Sequence, residues 1–230
     1  KRLEKTIVEI IEEIANNLEI KKIQLFDDGI GLSSWYLLWL ERANKIFLTH
    51  QLAINLQRSI EEIKLDFRKS YKPLVNKALK EWDVFICKDN LNENFEAFRL
   101  LHLGVAGRET RSRKSWQIQQ QQIENNEAFL VMVKNNNALV GAGFFTYTKD
   151  IGSYSVGAYK RELFDKPIGH GVQMKAIEML KEKGCKKYLI GQKMISLDKN
   201  KPTDKELSIS HFKEGFAEYV YAQPHLEVTL

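Results

Sequence analysis

Apolar residues in the first part of the chain recur with helical spacing. Leu3, Ile7, Ile10, Ile14 and Leu18 fall at three- and four-residue steps among Glu, Lys and Asn, which predicts an amphipathic helix packing through that stripe. Ile23 to Phe26 reads as a short strand before the turn Asp27-Asp28-Gly29, and Ser33-Ser34 can cap a helix carrying Trp35, Leu38 and Trp39. A longer helix is expected from Ser59 to Trp82. Pro73 should bend or restart it, because proline lacks the amide proton and clashes with the preceding turn.

From Asp83 the pattern becomes an alternation of strands and helices. Val84-Phe85-Ile86-Cys87 predicts a strand, followed by a helix from Glu93 to Leu103 and a Gln-rich helix from Ser115 to Glu124. Ala128 to Val133 is apolar without interruption, as in a strand buried on both faces. Asn135-Asn136-Asn137 supplies a hairpin turn, since asparagine tolerates the left-handed backbone region, and the returning strand runs from Leu139 to Tyr147. A turn at Asp150 to Gly152 and a strand from Ser153 to Tyr159 complete an antiparallel meander. A glycine-containing loop, Asp165 to Gly171, then leads to a helix from Val172 to Lys183, with Gly184 as its stop and a strand from Lys187 to Gly191. Thr203-Asp204-Lys205-Glu206 has the spacing of a capping box, opening a helix that Gly215 closes before an aromatic strand, Phe216 to Tyr221. This divides the chain into a mainly helical portion, 1–82, and an α/β domain, 83–230.

Composition narrows the function classes. An apolar fraction of 43% in 230 residues supports a real core and argues against disorder. The 35 Lys and Arg residues are nearly matched by 30 Asp and Glu, and the net charge of +5 suits a phosphate-bearing ligand and a solvated surface equally. Cys87 and Cys185 lie far apart without metal-ligand or redox spacing, which predicts buried reduced thiols. The apolar stretch Trp35 to Leu40 is far shorter than the ~20 residues of a membrane span, and no secretory signal is visible, so the expected location is the cytoplasm. A chain that begins at Lys1 rather than at methionine is expected to be trimmed or processed.

Four segments carry a resemblance. They are Phe67 to Lys77 (FRKSYKPLVNK), Leu101 to Arg111 (LHLGVAGRETR), Phe164 to His170 (FDKPIGH) and Thr203 to Ile209 (TDKELSI). Together they resemble the FemAB-like acyltransferases, and the order of elements from Phe129 to Tyr221 resembles the core of the GNAT superfamily of N-acyltransferases. The resemblance implies a mixed, largely antiparallel sheet flanked by helices, with the N-terminal portion as a reduced or truncated companion domain. It further implies transfer of an acyl or aminoacyl group, by direct attack, onto an amine or hydroxyl of a bacterial cell-envelope sugar or precursor, in some relatives of the nonulosonic acid type. Acyl-CoA and aminoacyl-tRNA are the donors it brings into view, with no tightly bound cofactor. Lys166-Pro167-Ile168-Gly169-His170-Gly171 only approximates the acetyltransferase pyrophosphate signature.

Within that frame the residues suggest roles. An amine attacking a thioester or ester needs placement, loss of a proton and donors for the developing oxyanion. Lys166, Gly169 and Gly171 are candidates for donor binding, because amides at a helix start favour an anion and glycine permits close approach. An ordinary helix entry explains the same residues. His170, with an unperturbed pKa of about 6.5, is a candidate base or a capping residue. Tyr159 is a candidate proton donor or a buried structural tyrosine. Arg108 and Arg111, with Arg113 and Lys114, form the densest basic stretch and fit a carboxylate or phosphate, although charged loops are usually just solvated. His102 and Trp116 flank that stretch. Lys205 stands at a helix start, against the dipole, and so asks for an anionic partner. His102, Arg108, Arg111 and Lys205 are therefore the acceptor-binding candidates. No spacing recommends a metal, a serine elbow, a Walker loop or a Rossmann fingerprint. The rival expectation is a noncatalytic module that holds an acidic glycan or RNA in the same cleft; a net charge of +5 without an evident aromatic platform gives tRNA little support.

Overall fold

A computed structural model describes residues 2–26, 33–196 and 201–230. The predicted turn at Asp27-Asp28-Gly29 lies outside the described residues. In chain order the elements are α1 (Arg2–Asn17), β1 (Lys22–Phe26), α2 (Ser34–Leu40), β2 (Lys45–Asn55), α3 (Ile60–Asp66), α4 (Tyr71–Glu81), β3 (Asp83–Ile86) and α5 (Leu91–Ala106). They continue with α6 (Arg113–Glu124), β4 (Ala128–Asn135), β5 (Ala138–Tyr147), β6 (Ile151–Tyr159), a short 3₁₀ turn (Arg161–Leu163), α7 (Ile168–Glu182), β7 (Lys187–Gln192), α8 (Asp204–Glu214) and β8 (Tyr219–Thr229). This is a mixed α/β fold whose strands are largely antiparallel.

The contacts divide the chain into two compact units, Lys1–Gln51 with Val220–Leu230, and Leu52–Tyr219. The sequence break at residue 82 falls inside the second unit, where α4 lies against α7.

In the smaller unit β8 runs between β1 and β2, pairing antiparallel with β1 from Lys22↔Thr229 to Phe26↔His225. Val8 of α1, Tyr36 and Trp39 of α2, and Leu226 and Val228 of β8 form its core. Ser33 caps α2 as predicted, its hydroxyl accepting from the Tyr36 amide at 3.0 Å. The α1 stripe is corrected: the helix is present, but Leu3, Ile7, Ile10, Ile14 and Leu18 face solvent, while Val8 and Ala15 are buried. Apolar residues cover more of this helix than one face, and the packing uses the Val8–Ala15 flank.

The larger unit carries a sheet in the order β7-β6-β5-β4-β3, with the Leu52–Asn55 end of β2 beside β7. The strand β4 is buried along Ala128–Val133, as its unbroken apolar run predicts. On one face α7 supplies Ile168, Val172, Ala176, Ile177 and Leu180 to a core shared with Phe129, Val131 and Phe145. On the other, Phe95, Phe98 and Trp116 from α5 and α6 pack on Leu130, Met132 and Phe144. The β4–β5 hairpin turns at Asn136 and Asn137, both with positive φ. The expected helix from Ser59 to Trp82 is broken between α3 and α4, and Pro73 lies in the first turn of α4, where its missing amide costs nothing. The helix α7 starts at Ile168 instead of Val172, so Gly169 to Gly171 belong to its first turn.

Val8→Ala should therefore lower stability by at least about 1.5 kcal/mol, while Ile10→Ala, on the same helix, should stay within about 0.5 kcal/mol. Urea midpoints of the two variants check this, and equal losses would contradict the assignment of the buried flank.

Candidate active site

The site begins with a sheet that opens. The parallel pair β6 and β7 is registered only at Ile151↔Lys187, Gly152↔Tyr188 and Ser153↔Leu189, although both strands continue. Just beyond, a bulge leaves Ser155 unpaired with β5, since Phe144 faces Val156 and Phe145 faces Tyr154. A bulge bends its strand and raises the local twist, which turns β6 away from β7. A cavity of about 340 Å³ lies between β3 and α7, and a larger one, about 820 Å³, opens where β6 parts, bounded by α5, the start of α7 and α8.

Tyr154 and Tyr159 project into the larger cavity with their hydroxyls 3.0 Å apart. Gly157 makes room for this pair, because a Cβ there would stand 1.8 Å from the Tyr154 Oη. Burial pushes the Tyr154 pKa up to about 12 and raises that of Tyr159 well above the usual tyrosine range, so both remain protonated near neutrality. One hydroxyl donates to the other, leaving the second proton free to point into the cavity.

Lys213, on α8, completes this end. Its Nζ lies 5.3 Å from the Tyr154 ring centroid, and a Cβ at Gly191 of β7 would be 2.5 Å from it. The ammonium therefore sits between the separated strands. Among the described residues no carboxylate pairs with it, and burial lowers its pKa. Sequence reasoning missed this residue. The faint signals are Gly191, at a φ of 139° that excludes most side chains, and Gly157.

The candidate His170 also lines the cavity, but its ring is caged by Tyr71, Phe212 and Phe216, with centroids 4.4, 5.2 and 5.6 Å away. Both ring nitrogens are shut off from solvent and make no hydrogen bond of normal geometry. Burial pushes the pKa down to about 4, with the Pro167 carbonyl opposing and the Arg68 charge reinforcing the shift. The imidazole is thus neutral at ordinary pH.

The donor candidates separate. Lys166 and Gly169 line the cavity, whereas Gly171 faces Ala78 and Val84, where a Cβ would meet both at 3.1 Å. In the first turn of α7 the amides of His170 and Gly171 already bond to the Pro167 carbonyl. Those of Ile168 and Gly169 have no acceptor among the described residues.

Three of the four acceptor candidates converge at the mouth. His102 lines it, Arg111 Nη1 lies 3.4 Å from His102 Nε2, and burial, then the charges of Arg111 and Lys205, lower the His102 pKa. Trp116 supports both partners, with the Arg111 guanidinium 5.5 Å and the His102 ring 5.2 Å from its ring. Arg108 is exposed in the same loop and outside this cluster. Glu206 is engaged in the predicted capping box with Thr203, which leaves Lys205 with no carboxylate partner among the described residues. Arg161 fastens the 3₁₀ turn to the C-terminal end of α5 by donating to the Val105 carbonyl. Among the described residues no group of His, Cys, Asp or Glu could hold a metal ion, and no helix is long and apolar enough to cross a membrane.

Neither a protein-family model nor a curated protein matches the sequence. Solved structures do resemble it. FemX superposes with a TM-score of 0.70 at 14% identity, covering 98% of this chain and 76% of its own. L-PGS from Bacillus licheniformis gives 0.65 at 12%, covering 98% and 73%. A GCN5-related N-acetyltransferase from Kribbella flavida gives 0.51 at 12%, covering 98% and 74%. At such identities the likeness establishes the fold, which is GNAT-like.

The caged His170 has a pH consequence. Its folded pKa lies below the unfolded value of about 6.5, so the unfolded chain binds the proton first and stability falls as pH drops from there towards about 4. Urea midpoints across this range should decline less steeply in His170→Phe than in the wild type; parallel declines would contradict a neutral, enclosed imidazole.

Proposed function

We propose that the larger cavity is the active site of an acyltransferase of the FemAB-like kind, moving an acyl or aminoacyl group by direct attack onto an amine or hydroxyl. The observation that carries this reading is the Lys213 ammonium, held without a carboxylate between parted strands and beside two protonated tyrosines. That is the equipment needed by a carbonyl oxygen that gains negative charge. The fold shared with FemX, L-PGS and a GCN5-related N-acetyltransferase supports it.

In this reading the acceptor's lone pair forms a bond to the carbonyl carbon, and the carbonyl electrons move onto oxygen facing Lys213 and a tyrosine hydroxyl. Collapse breaks the bond to the carrier, which leaves with its electron pair. Tyr159 gives the carrier a proton and regains one from the new ammonium or oxonium, so no covalent enzyme intermediate forms. His170, with enclosed nitrogens, holds the start of α7 against Tyr71 and Phe212.

The carrier is acyl-CoA or aminoacyl-tRNA. Lys166 and the free amides of Ile168 and Gly169 would take its phosphates, reinforced by the helix dipole. His102, Arg111 and Lys205 would hold a carboxylate or phosphate of the acceptor. A sugar-type precursor of the bacterial cell envelope, including the acidic nonulosonic acids, fits those cations, and cytoplasmic synthesis of such precursors fits the proposed location.

The test combines thermal shift with product mass spectrometry, offering acyl-CoAs and aminoacyl-tRNA to the protein with nucleotide-linked amino sugars. Lys213→Met should lose about a hundredfold or more in kcat while keeping the donor-induced shift. Unchanged turnover in that variant, or no transfer from either donor class by the wild type, would overturn the reading.

A further inference from the structure

The larger cavity is unbalanced in charge. Among the described residues, Arg161, Lys166, Lys205 and Lys213 line it together with His102 and His170, and no aspartate or glutamate does. The carboxylates on the flanking elements stand outside the lining, Glu162 3.9 Å from Lys160 and Asp204 in the first turn of α8 among them. Asp165 binds Lys166 at 2.7 Å, Glu206 is held by Thr203, and Glu214 binds Lys193 with His211 4.0 Å away. Even with Lys166 answered by Asp165, the remaining Lys and Arg side chains on the wall have no described counter-ion.

The rest of the lining is apolar or neutral. Val156, Leu163, Ile168 and Phe212 offer hydrocarbon surface, and Tyr154 and Tyr159 stay protonated. A methyl group entering this space meets surface that it satisfies. An ammonium group of the same size leaves water, meets like charge and finds no carboxylate among the described residues, so it must shed its proton or stay outside. Selectivity here comes from repulsion as much as from fit.

Resting on the acyl-transfer reading, we propose that the group this site transfers is an uncharged acyl group, and that acyl groups bearing a free ammonium are rejected. Lys213 and Lys205, from one helix, and Arg161, from the turn opposite, set that preference by field, without touching the acyl chain. The acceptor amine gains from the same field, which lowers its pKa and delivers it unprotonated for attack.

The experiment uses an isosteric pair. Propionyl and glycyl groups differ only by a methyl against an ammonium. Each is presented as a stable amide on a coenzyme A backbone and on an amino-terminated CCA oligonucleotide, with binding to the full chain measured by calorimetry. At about pH 6, where an α-amino group with pKa near 8 is charged, the propionyl member should bind at least about tenfold more tightly on whichever carrier is bound. By about pH 9 the ratio should shrink to a few-fold as the amine loses its proton. Lys166→Glu, which places a carboxylate in the wall, should narrow the low-pH ratio. Equal or tighter binding of the glycyl member at low pH, or a ratio unchanged by pH, overturns this inference while leaving acyl transfer standing. Failure of both members to bind on both carriers removes the acyl-transfer reading and this inference with it.

Discussion

The site depends on β6 and β7 ceasing to pair. Their parallel ladder ends at Ser153↔Leu189, and the bulge at Ser155 turns the rest of β6 away while β5 still holds it. Separated strands expose backbone and leave a cleft that a close-packed sheet would not contain. The structure makes up the loss around the cleft: α7 packs beneath the meander, α8 lies along its flank, and Gly157 and Gly191 let side chains enter where a Cβ would block them. Tertiary packing on both faces of β4 keeps the open region from collapsing.

That opening gives Lys213 its character. A lysine on an exposed helix is a solvated point charge, but this one is drawn between Tyr154 and Gly191, away from water and without a described carboxylate. Such an arrangement costs stability unless something compensates, and the pattern is common where charge is held ready for a ligand. Burial likewise lowers the His170 pKa and raises those of Tyr154 and Tyr159. The change in strand pairing thus opens the cavity and gives Lys213 its place between Tyr154 and Gly191, while the cage of Tyr71, Phe212 and Phe216 sets the state of His170.

Much of the fold was legible in the sequence. The apolar run of β4, the Asn136–Asn137 turn, the Ser33 cap and the Thr203–Glu206 box appear where their physics places them. The strand β2 was not legible, because Thr49, His50 and Gln51 interrupt its apolar residues and spoil the two-residue period. Pro167, Gly169 and Gly171 disguised the start of α7 as a loop. The α1 stripe had the right spacing and the wrong destination, since periodicity says which residues share a face and not which face is covered. Of the acceptor candidates His102, Arg108, Arg111 and Lys205, the structure places Arg111 3.4 Å from His102 with the Lys205 charge near enough to lower the His102 pKa, and leaves Arg108 exposed. Lys213 could not be found by composition or motif, because its surroundings come from β6 and β7, distant in sequence.

Acyl transfer in this cavity requires the gap between β6 and β7 to receive the carbonyl that is attacked. Its most direct test is a crystal structure of the protein with a stable propionyl amide on the carrier that binds. The carbonyl oxygen should lie in the gap, within hydrogen-bonding distance of Lys213 Nζ and just beyond the last paired residues, Ser153 and Leu189. A carbonyl ordered elsewhere, with the carrier bound and the gap closed by protein, would contradict it.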